Sequence, residues 1–494
     1  MIERSSGILM PISSLPSPHG IGTMGKAAYD FADFLAAAGQ KYWQLLPLGP
    51  TSYGDSPYQS FSSFAGNPYF IDLDLLVKDK LLTRAEVNAC DWGDDPRYVD
   101  YGKIYASRFT LLEKAKTRGF TRDREAVAAF ERENERWLPN YALFMALKRH
   151  FGMKSWTEWD DEDIRCRTSS EVIERYRAEL REDVELFTYI QFLFFRQWEA
   201  LKAYIHSLGI RIIGDLPIYV SLDSADVWAE REQFLLDREG KPSKVAGVPP
   251  DYFSEDGQLW GNPLYDWAAM KRDGFGWWIR RVEGAGKLFD AIRIDHFRGL
   301  ESYWAVPADS ETAKTGRWEK GPGMDLLGVL TSWFPQLTFI AEDLGILTDA
   351  VHDLRNASGL PGMKVLEFAF SGPDNAYLPH NYPAHCICYT GTHDNDTAVG
   401  WYTHAGKEER AYAEGYLGAA GTEDVRKALL RCGQGSVAEL FVAQMQDYLG
   451  LGSESRINVP GVAEGNWRWR MRSGRDSAAL TEEIKTLTHT YGRC

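Results

Sequence analysis

Cysteine is scarce in this chain, six residues in 494 (Cys90, Cys166, Cys386, Cys388, Cys432 and Cys494). That density excludes a disulfide-framed secreted scaffold. Cys386 and Cys388 share one face of a predicted strand, which suits buried thiols better than a bridge or a metal ligand and points to a reducing, cytoplasmic setting. An excess of basic charge is missing too. The 55 Lys and Arg against 70 Asp and Glu give −15, with the signs interspersed. Nucleic acid and anionic membrane are disfavoured as partners, because phosphate binding needs a basic footprint. No run approaches the ~18 apolar residues of a membrane span. Met1-Ile2-Glu3-Arg4 has no charged-then-apolar leader, and there is no internal repeat or low-complexity tract.

What is present looks globular. A 44% hydrophobic and 25% charged composition is ordinary. The length allows two or three domains, or one α/β barrel with insertions. The 17 Trp and 24 Tyr are more unusual. Core packing accounts for most of them, yet many stand beside Gly, Asn, Asp or Pro. Exposed aromatics next to carboxylates and amides suit a sugar, with its C–H face and rim of hydroxyls.

The stretch Asp290-Ala-Ile-Arg-Ile-Asp-His-Phe-Arg-Gly299 alternates Ile292 and Ile294 with Arg293 and Asp295, the period-two pattern of a strand. One face is apolar and the other carries a guanidinium and a carboxylate. In a buried strand those charges must pair or line a pocket. A structural Arg–Asp pair at a strand end and a catalytic group both fit. Strand candidates also centre near Ile8, Tyr42, Ile212, Ile340, Val365, Ile387 and Ile457, with helices between, including Lys26–Ala38, Phe275–Phe289, Met324–Phe334, Thr348–Ala357 and Val437–Leu449. Eight such units fit a (β/α)8 barrel better than an open sheet. Tyr303–Val306 reads as an insertion. Residues 72–201 are charged and helically periodic, an inserted mainly helical subdomain within a single barrel domain of residues 1–494. Two long aromatic loops stand out. Leu48–Phe70 contains Tyr53-Gly-Asp-Ser-Pro-Tyr-Gln59, and residues 245–263 form an expected active-site insertion.

Four predicted strands end in a carboxylate: Asp215, Asp295, Glu342 and Asp394. A lone terminal carboxylate is usually a cap or a solvated end. Four at one mouth, with Arg293 and His393 beside them, are a candidate site. Crowded like charges drive pKa values apart, which glycoside chemistry uses. Asp295, held ionised by Arg293, is expected as nucleophile and Glu342, with the longer reach, as acid; Asp394 would accept from sugar hydroxyls. Two alternatives stay open. The carboxylates with His296 and His393 could hold a divalent metal, although barrel metallohydrolases carry a His-x-His near the first strand, where this chain offers only His19. They could also be a structural network in a non-catalytic glucan-binding protein. Gly20-Ile-Gly-Thr-Met-Gly25 matches a dinucleotide fingerprint only in part.

Arg-Ile-Asp-His at 293–296, Ala-Glu-Asp-Leu-Gly at 341–345 and Thr-His-Asp-Asn at 392–395 resemble the 4-α-glucanotransferases (amylomaltases, or disproportionating enzymes) of glycoside hydrolase family 77. So do Gly7-Ile-Leu-Met-Pro-Ile12, Tyr53 to Gln59 and Gly214-Asp-Leu-Pro-Ile-Tyr-Val220, nearly end to end. The resemblance implies retaining transfer of α-1,4-glucan segments without a metal or organic cofactor. It makes Asp295 the nucleophile, Glu342 the acid/base and Asp394 the transition-state stabiliser, with Arg293, His393 and Asp215 in the same centre. It implies that Tyr58 stacks on the sugar and that Asp251, Gln258 and Trp260 lie on a loop over the glucan. Asn458 falls in the Asn-x-Pro-Gly pattern of the last strand, and Ser56 and Tyr53 look like further contacts. Expected partners are α-1,4-glucans and malto-oligosaccharides, with the chain a monomer or weak homodimer. An α-glucan hydrolase is the nearest alternative. With no carbohydrate-binding domain ahead of the barrel, the chain is expected to be the compact bacterial form.

Overall fold

The computed structural model describes residues 3–52, 54–250, 255–345 and 347–494. Eight parallel strands close into a barrel: β1 (Ser5–Leu9), β2 (Tyr42–Gln44), β3 (Arg211–Leu216), β4 (Ala291–Ile294), β5 (Thr338–Ala341), β6 (Gly362–Val365), β7 (Cys386–Tyr389) and β8 (Leu440–Gln444). Each strand pairs with its sequence neighbour, and β1 pairs with β8 to complete the ring. The strands are short and buried on both faces, as helix-covered parallel strands are. Helices wrap the outside. Lys26–Ala37 buries Phe31, Phe34 and Leu35 and stops at Gly39, whose φ of 74° is the left-handed conformation that ends helices.

The last strand lies elsewhere than the sequence suggests. Val437–Leu449 reads as one helix, with the eighth strand near Ile457. In the structure β8 is Leu440–Gln444, the helix is only Met445–Leu449, and Ile457 and Asn458 sit in a loop beyond it. Leu-Phe-Val-Ala-Gln is buried at every position, so it carries no alternation to separate a strand from a buried helix.

Between β2 and β3 the described residues form helices and turns with no barrel strand. The 27-residue helix Arg181–Ser207 is the spine of this region, burying Phe187, Tyr189, Phe194 and Trp198 and packing along Leu138–His150. It also anchors the first aromatic loop. The Gln191 side chain accepts from the Gly66 N–H at 2.7 Å and donates to the Gly66 carbonyl at 2.9 Å. A Cβ at Gly66 would lie 2.1 Å from the Phe194 ring, so only glycine permits this approach. The described residues of 245–263, expected as a loop, are largely two paired antiparallel strands. Gln258–Pro263 and Lys244–Val248 belong to a four-stranded antiparallel sheet completed by Ser302–Pro307 and Arg317–Lys320. The Tyr303–Val306 insertion is thus a strand of this outer sheet. No helix among the described residues is long and apolar enough to cross a membrane.

Candidate active site

Neighbouring strand ends are stitched together by their backbones at the carboxyl rim. The Asp295 N–H donates to the Leu216 carbonyl at 3.0 Å, and the Glu342 N–H donates to the Ile294 carbonyl at 3.1 Å. The ends of β3, β4 and β5 therefore present Asp215, Asp295 and Glu342 side by side. His296 takes the left-handed conformation (φ 51°), turning the chain so that its N–H donates to the Glu342 carboxylate at 2.7 Å. The residue after Asp295 thus holds Glu342, and a second N–H, from Leu344, reaches it at 3.1 Å.

Arg293 lies in the middle of this sector, 3% exposed. One guanidinium nitrogen donates to both Asp215 oxygens, at 2.8 and 2.7 Å, and to Asp295 Oδ1 at 2.9 Å. Burial lowers the guanidinium pKa, but Asp215, Asp295 and Glu342 together outweigh it and raise the value well above the ordinary one. Burial raises the Asp215 carboxyl, against the pull of Arg293. Glu342 differs. Burial dominates, opposed by Arg293 and reinforced by Asp295, and its carboxyl is pushed up to about 8. Two neighbouring strand ends thus carry carboxyls in different settings, Asp295 on a guanidinium and Glu342 retaining its proton near neutrality.

The fourth carboxylate comes from the other side of the mouth. Asp394 accepts from the Asn458 side chain at 2.6 Å and lies 3.4 Å from His393 Nε2. Arg456 donates to the Asp394 carbonyl at 2.5 Å and to the Asn458 carbonyl at 2.8 Å, bracing the two loops. His393 stacks on Tyr58, with ring centroids 5.1 Å apart and planes at 20°. The Tyr58 hydroxyl donates to Asp215 at 2.7 Å and lies 3.4 Å from His393 Nδ1. One tyrosine therefore ties the two sides of the mouth together.

The other expected contacts divide. Trp260 meets His296 edge-on at 4.8 Å and donates to the Gln258 side chain at 3.1 Å, so the outer hairpin reaches the β4 end. Ser56 shapes the turn, its hydroxyl accepting from the Tyr58 N–H at 3.2 Å. Asn458 reaches the site from the loop after β8, not from the last strand. Tyr53 and Asp251 lie outside the described residues. Among the described residues no group of three or more His, Cys, Asp and Glu is arranged to hold a metal ion. Burial lowers the His296 imidazole to about 4, which keeps the ring neutral against Trp260. His19 pairs with Asp74 at 2.9 Å, in the helical region.

Sequence reasoning missed Trp467. Its ring lies 5.7 Å from Tyr58 and 5.9 Å from His393, completing an aromatic wall. Its setting in Gly465-Asn-Trp-Arg-Trp469 was a usable signal, a tryptophan beside Gly and Asn.

The model of the 4-alpha-glucanotransferase family matches residues 10–476. Among curated relatives, a 4-alpha-glucanotransferase of Thermus thermophilus is 51% identical over 100% of this chain and 99% of its own, and one of Clostridium butyricum is 48% identical over 98% and 100%. The solved structure of an amylomaltase from Streptococcus agalactiae in complex with acarbose superposes with a TM-score of 0.97 at 42% identity, covering 99% of this chain and 100% of that one.

Proposed function

The chain belongs to the 4-alpha-glucanotransferase family, glycoside hydrolase family 77, and from that premise we propose how its rim residues divide the work. It is an enzyme acting on α-1,4-glucans, moving a segment from a donor to an acceptor glucan or glucose. Asp295 attacks the anomeric carbon while Glu342 gives its proton to the departing O4, breaking the C1–O4 bond and leaving a glycosyl ester on Asp295. Glu342, now a base, takes the proton from the incoming 4-hydroxyl. That oxygen attacks C1 and releases Asp295, so the α configuration is retained.

One observation carries this reading. Arg293 binds Asp295 while the adjacent Glu342 is pushed up to about 8. Arg293 supports the anionic form that a nucleophile needs, and burial supports the protonated form that an acid needs. Asp394, steered by Asn458 and His393, accepts from sugar hydroxyls. Tyr58 and Trp467 offer ring faces to the sugar, and Trp260, Gln258, Asp251, Ser56 and Tyr53 extend the glucan contacts. Covering aromatic loops favour a sugar acceptor over water at the ester. The chain works without a cofactor, as a monomer or weak homodimer, because one chain supplies every group named. Its six cysteines, all unpaired, favour the cytosol.

The test is to trap the intermediate. Incubation with 5-fluoro-α-glucosyl fluoride should add one fluoroglucosyl group, and peptide mapping should find it on Asp295. Label on another carboxylate, or steady release of reducing ends from maltotriose without longer products, would refute the scheme.

A further inference from the structure

Away from the barrel mouth a cleft of about 260 Å³ opens between the helical region and the barrel helix Gly276–Leu288. Its apolar wall is Phe64, Trp137 and Phe195. Phe64 and Trp137 lie nearly parallel, centroids 6.3 Å apart and planes at 14°, and Phe195 closes the wall 5.9 Å from Trp137. Phe64 and Trp137 are half-buried, so part of each ring faces the cleft. Gly284 makes room, since a Cβ there would lie 3.1 Å from the Phe64 ring.

The rim combines Arg132, Arg136 and Lys287 with Glu133, Glu135 and Glu283, all exposed, while the charge of Arg280, which also lines the cleft, is paired with Glu230 outside it. Three cations against three carboxylates make a poor cradle for an ion of either sign, because each attraction is matched by a repulsion. They make a good one for a neutral polyol, whose hydroxyls both donate to carboxylates and accept from guanidinium and ammonium groups. An aromatic wall inside a polar rim is the layout of a small-molecule pocket.

We propose that this cleft is a second carbohydrate-binding site, which holds a stretch of α-glucan chain outside the catalytic mouth. The proposal rests on the α-glucan reading above. The occupant is the enzyme's own polymer, because substrate chains are neutral, rich in hydroxyls and longer than one site. Phe64 follows Tyr58 by six residues, so the contour of the chain puts the two sites no more than ~20 Å apart. Helix Gly276–Leu288 is shared as well. Its Gly284 and Lys287 face the cleft, while Arg281 and Ala285 line a cavity that reaches Tyr58 and Asp215. A long glucan held at the cleft would raise the local concentration of chain at the mouth, whereas a trisaccharide engages one site at a time.

Two variants test this: Trp137→Ala, and the rim pair Arg136→Ala with Glu283→Ala, whose exposed side chains leave folding untouched. Migration of the full-length protein through native gels containing amylose reads polymer binding, and maltotriose disproportionation reads the catalytic centre. The expected result is a roughly tenfold weaker retardation by amylose for Trp137→Ala and a smaller but clear loss for the rim pair, with maltotriose turnover unchanged in both. Wild-type retardation in the rim pair overturns the proposal whatever Trp137→Ala does. If the wild type fails to disproportionate maltotriose, the α-glucan reading falls instead.

Discussion

The barrel mouth has two halves, and each is ringed by buried or half-buried acids. On β3, β4 and β5 they are Asp215, Asp295 and Glu342; beyond β6, β7 and β8 they are Glu367, Asp396 and Asp447. The elements are alike, each a short parallel strand running into a carboxylate. Their surroundings are not. The first half has a buried guanidinium at its centre, and Asp295 and Glu342 remain partly open to the mouth. The second half is more closed. Asp447 accepts from the Thr390 hydroxyl and the Ala398 N–H, and Asp396 accepts from Ser453 at 2.6 Å. Burial pushes Asp447 up to about 6, and burial with Asp447 and Asp396 raises Glu367 well above its ordinary value. In the scheme proposed above, a buried cation converts strand-end acids into reagents. Local donors and retained protons convert similar acids into struts beneath the loop that presents His393 and Asp394.

The sharpest way to break this contrast is to remove the cation. Arg293→Met leaves Asp215 and Asp295 facing each other with no counter-charge, and loss of one partner of a buried pair costs about 3–5 kcal/mol. Urea unfolding should show that loss alongside abolished maltotriose turnover, and Arg293→Lys should recover part of the stability. Wild-type stability in Arg293→Met would mean that the guanidinium does not hold the first half together.

A smaller effect is expected where the halves meet. Tyr58→Phe removes the hydroxyl shared by Asp215 and His393 but keeps the ring. A hydrogen bond to a charged group contributes about 1.5–3 kcal/mol. Turnover of maltotriose should fall by roughly tenfold or more with the melting temperature little changed. An unaltered rate would show that the two sides of the mouth act separately.

In the second half the smallest effect on rate is expected. Glu367→Gln keeps the shape and should leave turnover within about threefold of wild type. Its signature is in stability. The folded protein keeps a proton on Glu367 that the unfolded chain releases above its ordinary value of 4.5, so wild-type stability declines as pH rises past that value. The Gln variant, which has no such proton, should gain on wild type from pH 5 upward and match it at pH 4. Thermal unfolding across that range gives the answer. A large drop in turnover would make Glu367 a reagent and erase the contrast.

Much of the first half was legible in the sequence. Alternation in Ala291–Ile294 puts Arg293 and the following carboxylate on one face, and each acid of this half sits beside or within a strand of recognisable apolar character. The second half was legible only at Asp394. The run 440–443 is apolar throughout and reads as helix, which moved the eighth strand to Ile457 and hid Asp447 as a strand-end acid. The strand expected near Val365 stops at that residue and turns, so Glu367 lies just beyond its end, where the otherwise apolar run 366–370 gives no sign of a strand terminus. The Gly-Asn setting of Trp467 marks the residue but not its partners: its place against Tyr58, like the left-handed turn at His296, depends on contacts between distant segments.

The most direct test is the pH dependence of kcat/KM for maltotriose, which reports groups of the free enzyme. Glu342, pushed up to about 8, must be protonated when the donor bond breaks, so the rate should hold through neutrality and fall as pH rises past about 8. A rate that stays level up to about pH 10, with Glu342→Gln as active as wild type, would contradict the assignment of Glu342 as the proton donor beside Asp295.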